Sequence, residues 1–179
     1  MNKFFKEKKI LVTGATGFKG AWLSYWLYLL GANVYGIGFS PNKNKNLFYS
    51  LKLDKKINLK LMDIRDKKKL SSLLLKFKPQ IIFHLAAQPL ILDSYKKPYL
   101  TYSVNTVGTL NLLECVKNFN FVKSIVCITS DKCYESNFST KGFKENDKLG
   151  GIDPYSGSKA SAEIIIRTYY ESFFKKKNC

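Results

Sequence analysis

The stretch that most constrains this chain is Thr13-Gly14-Ala15-Thr16-Gly17-Phe18-Lys19-Gly20. It follows the short apolar run Ile10-Leu11-Val12-Thr13 and opens a helical pattern that runs from Phe18 to Leu30. A buried strand, a tight turn and a helix are the parts of a phosphate cradle. Gly14 lets the chain turn sharply, Gly17 lets backbone N–H groups approach a pyrophosphate, and Gly20 lets helix and strand pack closely. The helix N-terminus adds free donors and the positive end of its dipole. Glycines also mark ordinary turns, so the reading rests on the strand–turn–helix context.

That context extends along the chain. Asn33 to Gly38 reads as a second strand and Leu59 to Met62 as a third, with a polar loop over Ser40 to Asn46 between them. A helix is expected from Lys67 to Phe77, closed by Pro79, and a fourth strand from Gln80 to Leu85. A loop through Pro89 and Pro98 precedes a long helix from Tyr102 to Phe119. A fifth strand spans Val122 to Thr129, a loop runs to Pro154, and a final helix covers Tyr155 to Phe174. Gly31 stands where a helix-ending glycine belongs. Alternating strands and helices imply a doubly wound parallel α/β sheet of the Rossmann type, strand order 3-2-1-4-5, with ligand beyond the carboxyl ends of strands one and four. At 179 residues the chain reads as one domain, 1–179. Trp22 and Trp26, one helical turn apart, are expected in the core.

The formal charge of +17 raises nucleic-acid or membrane binding. The excess is nearly all lysine, scattered along the chain; Arg65 and Arg167 are the only arginines, the residue best suited to reading base edges. Neither partner is expected. Cys115, Cys127, Cys133 and Cys179 form no C-x-x-C pair and lie far in sequence from the single histidine, His84. That spacing argues against a metal site and for reduced thiols in the cytoplasm. The basic start, Met1 to Lys9, leads into the glycine turn and not into a signal sequence, and Ala21 to Leu30 is too short to span a bilayer.

Tyr155 and Lys159 stand four apart at the start of the last helix and share a face. A phenol with a pKa of ~10 is a poor base at neutral pH. A nearby ammonium favours the phenolate, and lowering the pKa by ~3 units requires ~4 kcal/mol of electrostatic help. The pair therefore suits proton abstraction from a hydroxyl as hydride leaves for a nicotinamide. Pro154 before it and Thr129-Ser130-Asp131 at a strand end set it apart from a chance Y-x-x-x-K on a solvated helix.

The glycine spacing, with Thr13 ahead of it, resembles the T-G-x-x-G-F-x-G fingerprint of the extended short-chain dehydrogenase/reductases. His84-Leu85-Ala86-Ala87 and Asn105-Thr106-Val107-Gly108-Thr109 resemble the family's H-x-A-A and N-x-x-G-T segments. Within it, Thr129-Ser130-Asp131-Lys132-Cys133-Tyr134, Gly17 to Ser24, Phe77 to Leu90, Glu145-Asn146-Asp147 and Leu149 to Ser156 look like CDP-glucose 4,6-dehydratases. The likeness runs from about Lys9 to Phe174. It implies NAD held by Gly14, Thr16, Gly17, Phe18, Gly20, Leu85, Ala86, Ala87 and Asn105, with Asp63 and Ile64 at the adenine and Tyr155 and Lys159 at the nicotinamide ribose. It implies Tyr155 as base at sugar carbon 4, Ser130 on the same hydroxyl, and Asp131 as acid for the departing 6-hydroxyl. Lys132 stands where dTDP-glucose dehydratases carry a glutamate that helps remove the carbon 5 proton. The substrate would be CDP-glucose, the product CDP-4-keto-6-deoxyglucose for deoxysugar and lipopolysaccharide synthesis. The full-length form would be a homodimer or homotetramer built on helices around Leu110 and Ile164.

Blander readings stand beside these roles. Asp63 could cap a strand end, His84 could be a packed core histidine, and Asp131-Lys132 could be a surface ion pair. Two departures also matter. Phe39-Ser40 stands where relatives place an acidic residue for the adenosine ribose, and Lys43 and Lys45 follow, which leaves NADP open beside NAD. The chain also ends at Cys179, where relatives of the family continue, so most of the C-terminal substrate-binding part is expected to be lacking and the fifth strand to be an apolar sheet edge. Alternatives are another member of the family, a UDP-sugar dehydratase or epimerase, and a non-catalytic nucleotide-binding remnant.

Overall fold

Five apolar runs become the strands of one parallel sheet: β1 (Lys9–Thr13), β2 (Asn33–Gly38), β3 (Asn58–Leu61), β4 (Ile81–His84) and β5 (Ser124–Cys127), in the order β3-β2-β1-β4-β5. This is the expected doubly wound topology. The computed structural model describes residues 3–39, 46–135 and 142–177. Among these residues seven α-helices flank the sheet: α1 (Phe18–Leu29), α2 (Leu47–Ser50), α3 (Lys67–Phe77), α4 (Ile91–Lys96), α5 (Pro98–Tyr102), α6 (Gly108–Val116) and α7 (Pro154–Tyr169).

Alternation along the strands divides the core in two. Leu11, Ile37 and Ile82 face Leu70, Leu74, Leu112 and Val116 on α3 and α6. Ile10, Val12, Val34 and Ile81 face the other way, against Leu27 of α1. Register places Leu11 beside both Tyr35 and Ile82, so β1 is paired on both edges and covered on both faces.

The helix ends follow local chemistry. Asp66 caps α3 by accepting from the N–H of Lys69, and Asp153 caps α7 by accepting from the N–H of Ser156, with Pro154 at the first helical position. Gly31 closes α1 as expected, at φ +79°: its N–H reaches the carbonyl of Tyr28, and the N–H of Ala32 reaches that of Leu27.

The structure corrects four expectations. The tryptophans of α1 are not core: Trp22 is 49% and Trp26 63% exposed. α1 meets the sheet through Gly20 and Ser24, small enough for close helix–strand approach, and through the apolar Leu27, and this turns the tryptophans outward. The segment between Pro89 and Pro98 is not all loop, because Ile91–Lys96 is helical. The long helix expected from Tyr102 begins earlier, at Pro98, passes through a π-helical turn at Ser103–Val107, and ends at Val116. The fifth strand is shorter than expected, four residues, although Lys123 and Ile128 on its flanks still donate to the carbonyls of Gln80 and His84. Ser40, Lys43, Lys45 and Cys179 lie outside the described residues.

Candidate functional site

The glycine turn closes as its sequence requires. Gly14 has φ +74°, and a Cβ there would meet the backbone of Leu85 and Ala86 at 2.8 Å. A Cβ on Gly20 would lie 2.0 Å from the carbonyl oxygen of Gly14. The first helical turn is thus pressed onto the end of β1. Gly17 is the N-cap of α1 with no side chain capping it, so the first N–H groups of the helix keep their donors free. Thr16 is buried, and Phe18 is exposed beside it. Free donors, a positive helix end and backbone that no side chain obstructs fit a dinucleotide pyrophosphate.

A polar network locks β4 beneath this turn. The Thr13 hydroxyl oxygen accepts from the N–H groups of Leu85 (3.2 Å) and Ala86 (3.1 Å) and lies 2.7 Å from Nδ1 of His84. With two donors already directed at it, that hydroxyl gives its own proton to Nδ1. Nε2 of His84 then carries the ring proton and donates to the Thr109 hydroxyl at 3.0 Å, which donates in turn to the carbonyl of Asn105 at 2.7 Å. Burial drives the His84 pKa down to about 3, assisted by the Lys159 charge, so the ring is neutral. His84 is therefore a satisfied core histidine that sets the path of Leu85, Ala86 and Ala87.

Asn105 sits in the π-helical turn, a feature that commonly re-aims side chains at functional sites. Its Oδ1 accepts from the N–H of Gln88 at 2.7 Å; its Nδ2 donates to the Gln88 carbonyl (3.1 Å) and to the Ser158 hydroxyl (2.9 Å). Ser158 in turn donates to the carbonyl of Tyr155. One amide thus joins the strand-four loop to α7. Sequence reasoning missed Ser158 and Gln88, whose signal was their place beside Lys159 and beside the Ala86-Ala87 pair.

Ile64 is buried against Gly108, where a Cβ would meet it at 2.7 Å. Asp63 is not free as a strand-end acid. Arg65 grips it through Nε and Nη2, the closest contact being 2.6 Å, and reaches Ser103 with Nη1. The Arg65 hydrogen bonds hold the Asp63 carboxyl below its usual range. These residues line an open cleft of about 570 Å³ with Tyr99, Tyr102 and Val107. Nothing in the sequence marked Arg65 except its place two residues on.

At the carboxyl end of β5, Ser130 accepts from the N–H of Lys132 and donates to Asp131 Oδ1 at 3.1 Å, building the turn Asp131–Cys133. That turn packs against α7. Gly150 donates to the Cys133 carbonyl, and a Cβ on Gly151 would meet Ser156 at 2.5 Å, so the Leu149-Gly150-Gly151 segment is threaded between turn and helix. Tyr155 is half-buried at the first turn of α7. Lys159 is buried one turn on, its Nζ 3.2 Å from the carbonyl of Ile128, and burial lowers its pKa. Glu163, a further turn along and unmarked in the sequence reading, accepts a short hydrogen bond from Thr129. Asp131 and Lys132 are exposed. Burial pushes the Cys127 thiol to about 12, and Cys115, Cys127 and Cys133 are free thiols. Among the described residues no cluster of metal-ligating groups occurs, and no helix is long and apolar enough to cross a membrane.

Fold, glycine turn and the Tyr155–Lys159 helix together define a Rossmann-type nucleotide-binding domain. The chain belongs to the GDP-mannose 4,6 dehydratase family, whose model matches residues 11–176. It is 45% identical to the CDP-glucose 4,6-dehydratase of Salmonella typhimurium over 98% of this chain and 49% of that protein. It is 32% identical to the dTDP-D-glucose 4,6-dehydratase of Dictyostelium discoideum over 93% of this chain and 41% of that one. A solved structure of a mutant UDP-glucuronic acid 4-epimerase from Bacillus cereus, in complex with NAD and a fluorinated UDP-sugar, superimposes with a TM-score of 0.77 at 27% identity, covering 92% of this chain and 53% of that one. The chain spans about half the length of the curated relatives it matches.

Proposed function

We propose that this chain carries the NAD-binding and catalytic half of a sugar-nucleotide 4,6-dehydratase that converts CDP-glucose to CDP-4-keto-6-deoxyglucose and water. The observation that carries the reading is α7, which sets a buried Lys159 one turn below Tyr155 while the Ser130–Asp131 turn packs on the same helix. The 45% identity to a CDP-glucose 4,6-dehydratase supports the choice of substrate.

Gly14, Thr16, Gly17, Phe18 and Gly20 hold the pyrophosphate, Asp63 and Ile64 flank the adenine, and Leu85, Ala86 and Ala87 line the floor beside Asn105. NAD held there would supply a reversible hydride acceptor for sugar carbon 4. Tyr155 takes the proton of the 4-hydroxyl as that hydride leaves, and Lys159 favours the phenolate and holds the nicotinamide ribose. Ser130 hydrogen-bonds the same hydroxyl. Asp131 gives its proton to the 6-hydroxyl, which departs as water once the carbon 5 proton is removed at the position of Lys132. Loss of water leaves a double bond between carbons 5 and 6; return of the stored hydride to carbon 6 and of a proton to carbon 5 reduces it, so no outside oxidant is consumed. The enzyme works as a homodimer or homotetramer in the cytoplasm, in the supply of deoxysugars for lipopolysaccharide.

The test is turnover of CDP-glucose with added NAD, read by absorbance of the 4-keto product in alkali. It is run on this chain and on a fusion to the remaining half of the Salmonella relative. Product from CDP-glucose, and none from UDP- or GDP-sugars, is expected from the fusion. Product from another sugar nucleotide alone would overturn the substrate. NADP turning over in place of NAD would reassign the cofactor.

A further inference from the structure

The segment that leaves β5 is tied to α7 at two successive residues. The carbonyl of Ile128 accepts from Lys159 Nζ at 3.2 Å, and the hydroxyl of Thr129 donates to Glu163 Oε1. Tyr155, Lys159 and Glu163 recur every four residues and so share one face of α7. The next residues of the tied segment are Ser130 and Asp131. Fixing Thr129 therefore fixes the chain that presents them.

Lys159 also needs a counter-charge. It is buried, and groups from four other elements face it: Cys127 of β5, Cys133 of the following turn, His84 of β4 and Lys19 of α1. Both thiols are pushed up by burial, and His84 is neutral. Lys19 repels the ammonium. Of the groups named, Glu163 is the carboxylate, and its charge acts to hold the Lys159 proton.

We infer that Glu163 is a positioning residue: through Thr129 it anchors the segment carrying Ser130 and Asp131, and its carboxylate is the counter-charge that keeps Lys159 an ammonium. The importance of Lys159 rests on the function proposed above. Glu163 acts through Lys159 and Thr129, without contact to sugar or cofactor.

Competitive acetylation of the intact chain across pH, with the Lys159 peptide read by mass spectrometry, gives the pH at which half of this amine is reactive. Glu163→Gln keeps an acceptor for Thr129 and removes only the charge. Losing a negative neighbour disfavours the ammonium, so the half-point is expected to fall by about one pH unit, and Glu163→Asp to restore most of it. A Gln variant that titrates with the parent, or an Asp variant displaced as far as the Gln one, overturns the inference. If Glu163→Gln fails to fold, the pair Thr129→Val with Glu163→Leu removes the charge without stranding a hydroxyl, and the same shift is expected. The readout needs no substrate, so failure of the CDP-glucose assignment leaves it standing.

Discussion

β1 and β5 are both short, apolar and parallel, yet they live in different surroundings. Ile10, Leu11 and Val12 of β1 are fully buried, with β2 and β4 as neighbours and helices on both faces. β5 is an edge strand of the sheet, and its burial alternates. Register puts Ile125 beside Ile82 on the α6 side and Val126 beside Phe83 on the α1 side. α1 covers β1 but not β5, so Val126 remains 40% and Ile128 37% exposed. The nucleotide cradle grows from the closed strand, and the Ser130–Asp131 turn grows from the open one. The cradle is shaped by backbone contact at Gly14 and Gly20, with the Thr13 hydroxyl locking β4 beneath it, whereas the Ser130–Asp131 end depends on side-chain ties to α7.

The sharpest way to break this contrast is at the cradle. Gly20→Val places branched carbon against the Gly14 carbonyl, where even a Cβ would stand at 2.0 Å. It should abolish NAD binding by calorimetry and cost more than about 2 kcal/mol in urea unfolding. Retained binding would mean that the turn can open without loss.

The strands themselves come next. Leu11→Ala should cost about 2–5 kcal/mol, while Val126→Ala should cost less than about 1 kcal/mol, both from urea midpoints. Equal costs would show that something covers the α1 side of β5 in solution.

The remaining effect is in pH, spread over several units. His84 titrates near 3 when folded and near the ordinary histidine value when unfolded, so the unfolded chain binds the extra proton between them. Its contribution is fully present above about pH 6.5 and is lost as pH falls toward 3. Urea stability should decline through that window by up to about 1.4 kcal/mol per unit, and His84→Asn should flatten the slope. An unchanged slope would mean that the ring is protonated within the fold.

The topology was legible because strand–turn–helix alternation and short crossovers leave little choice of winding order. The cradle was legible because backbone sterics at Gly14 and Gly20 act on neighbours in sequence. Tyr155 and Lys159 were legible because helical periodicity places them on one face. What stayed hidden lay in partners far apart along the chain. Trp22 and Trp26 carried core-like residue types, yet Gly20, Ser24 and Leu27 won the face against the sheet. Asp63 and Arg65 could be named, but not the reach of Arg65 to Ser103 on a distant segment. The same holds for Thr129 with Glu163, for Asn105 with Ser158, and for the Thr13–His84–Thr109 relay. Sequence by itself determined the local geometry, because propensity, capping and glycine sterics operate within a few residues. Tertiary structure alone decided which polar groups meet and which lysine is buried, because burial and hydrogen-bond partners are set only when distant segments pack together.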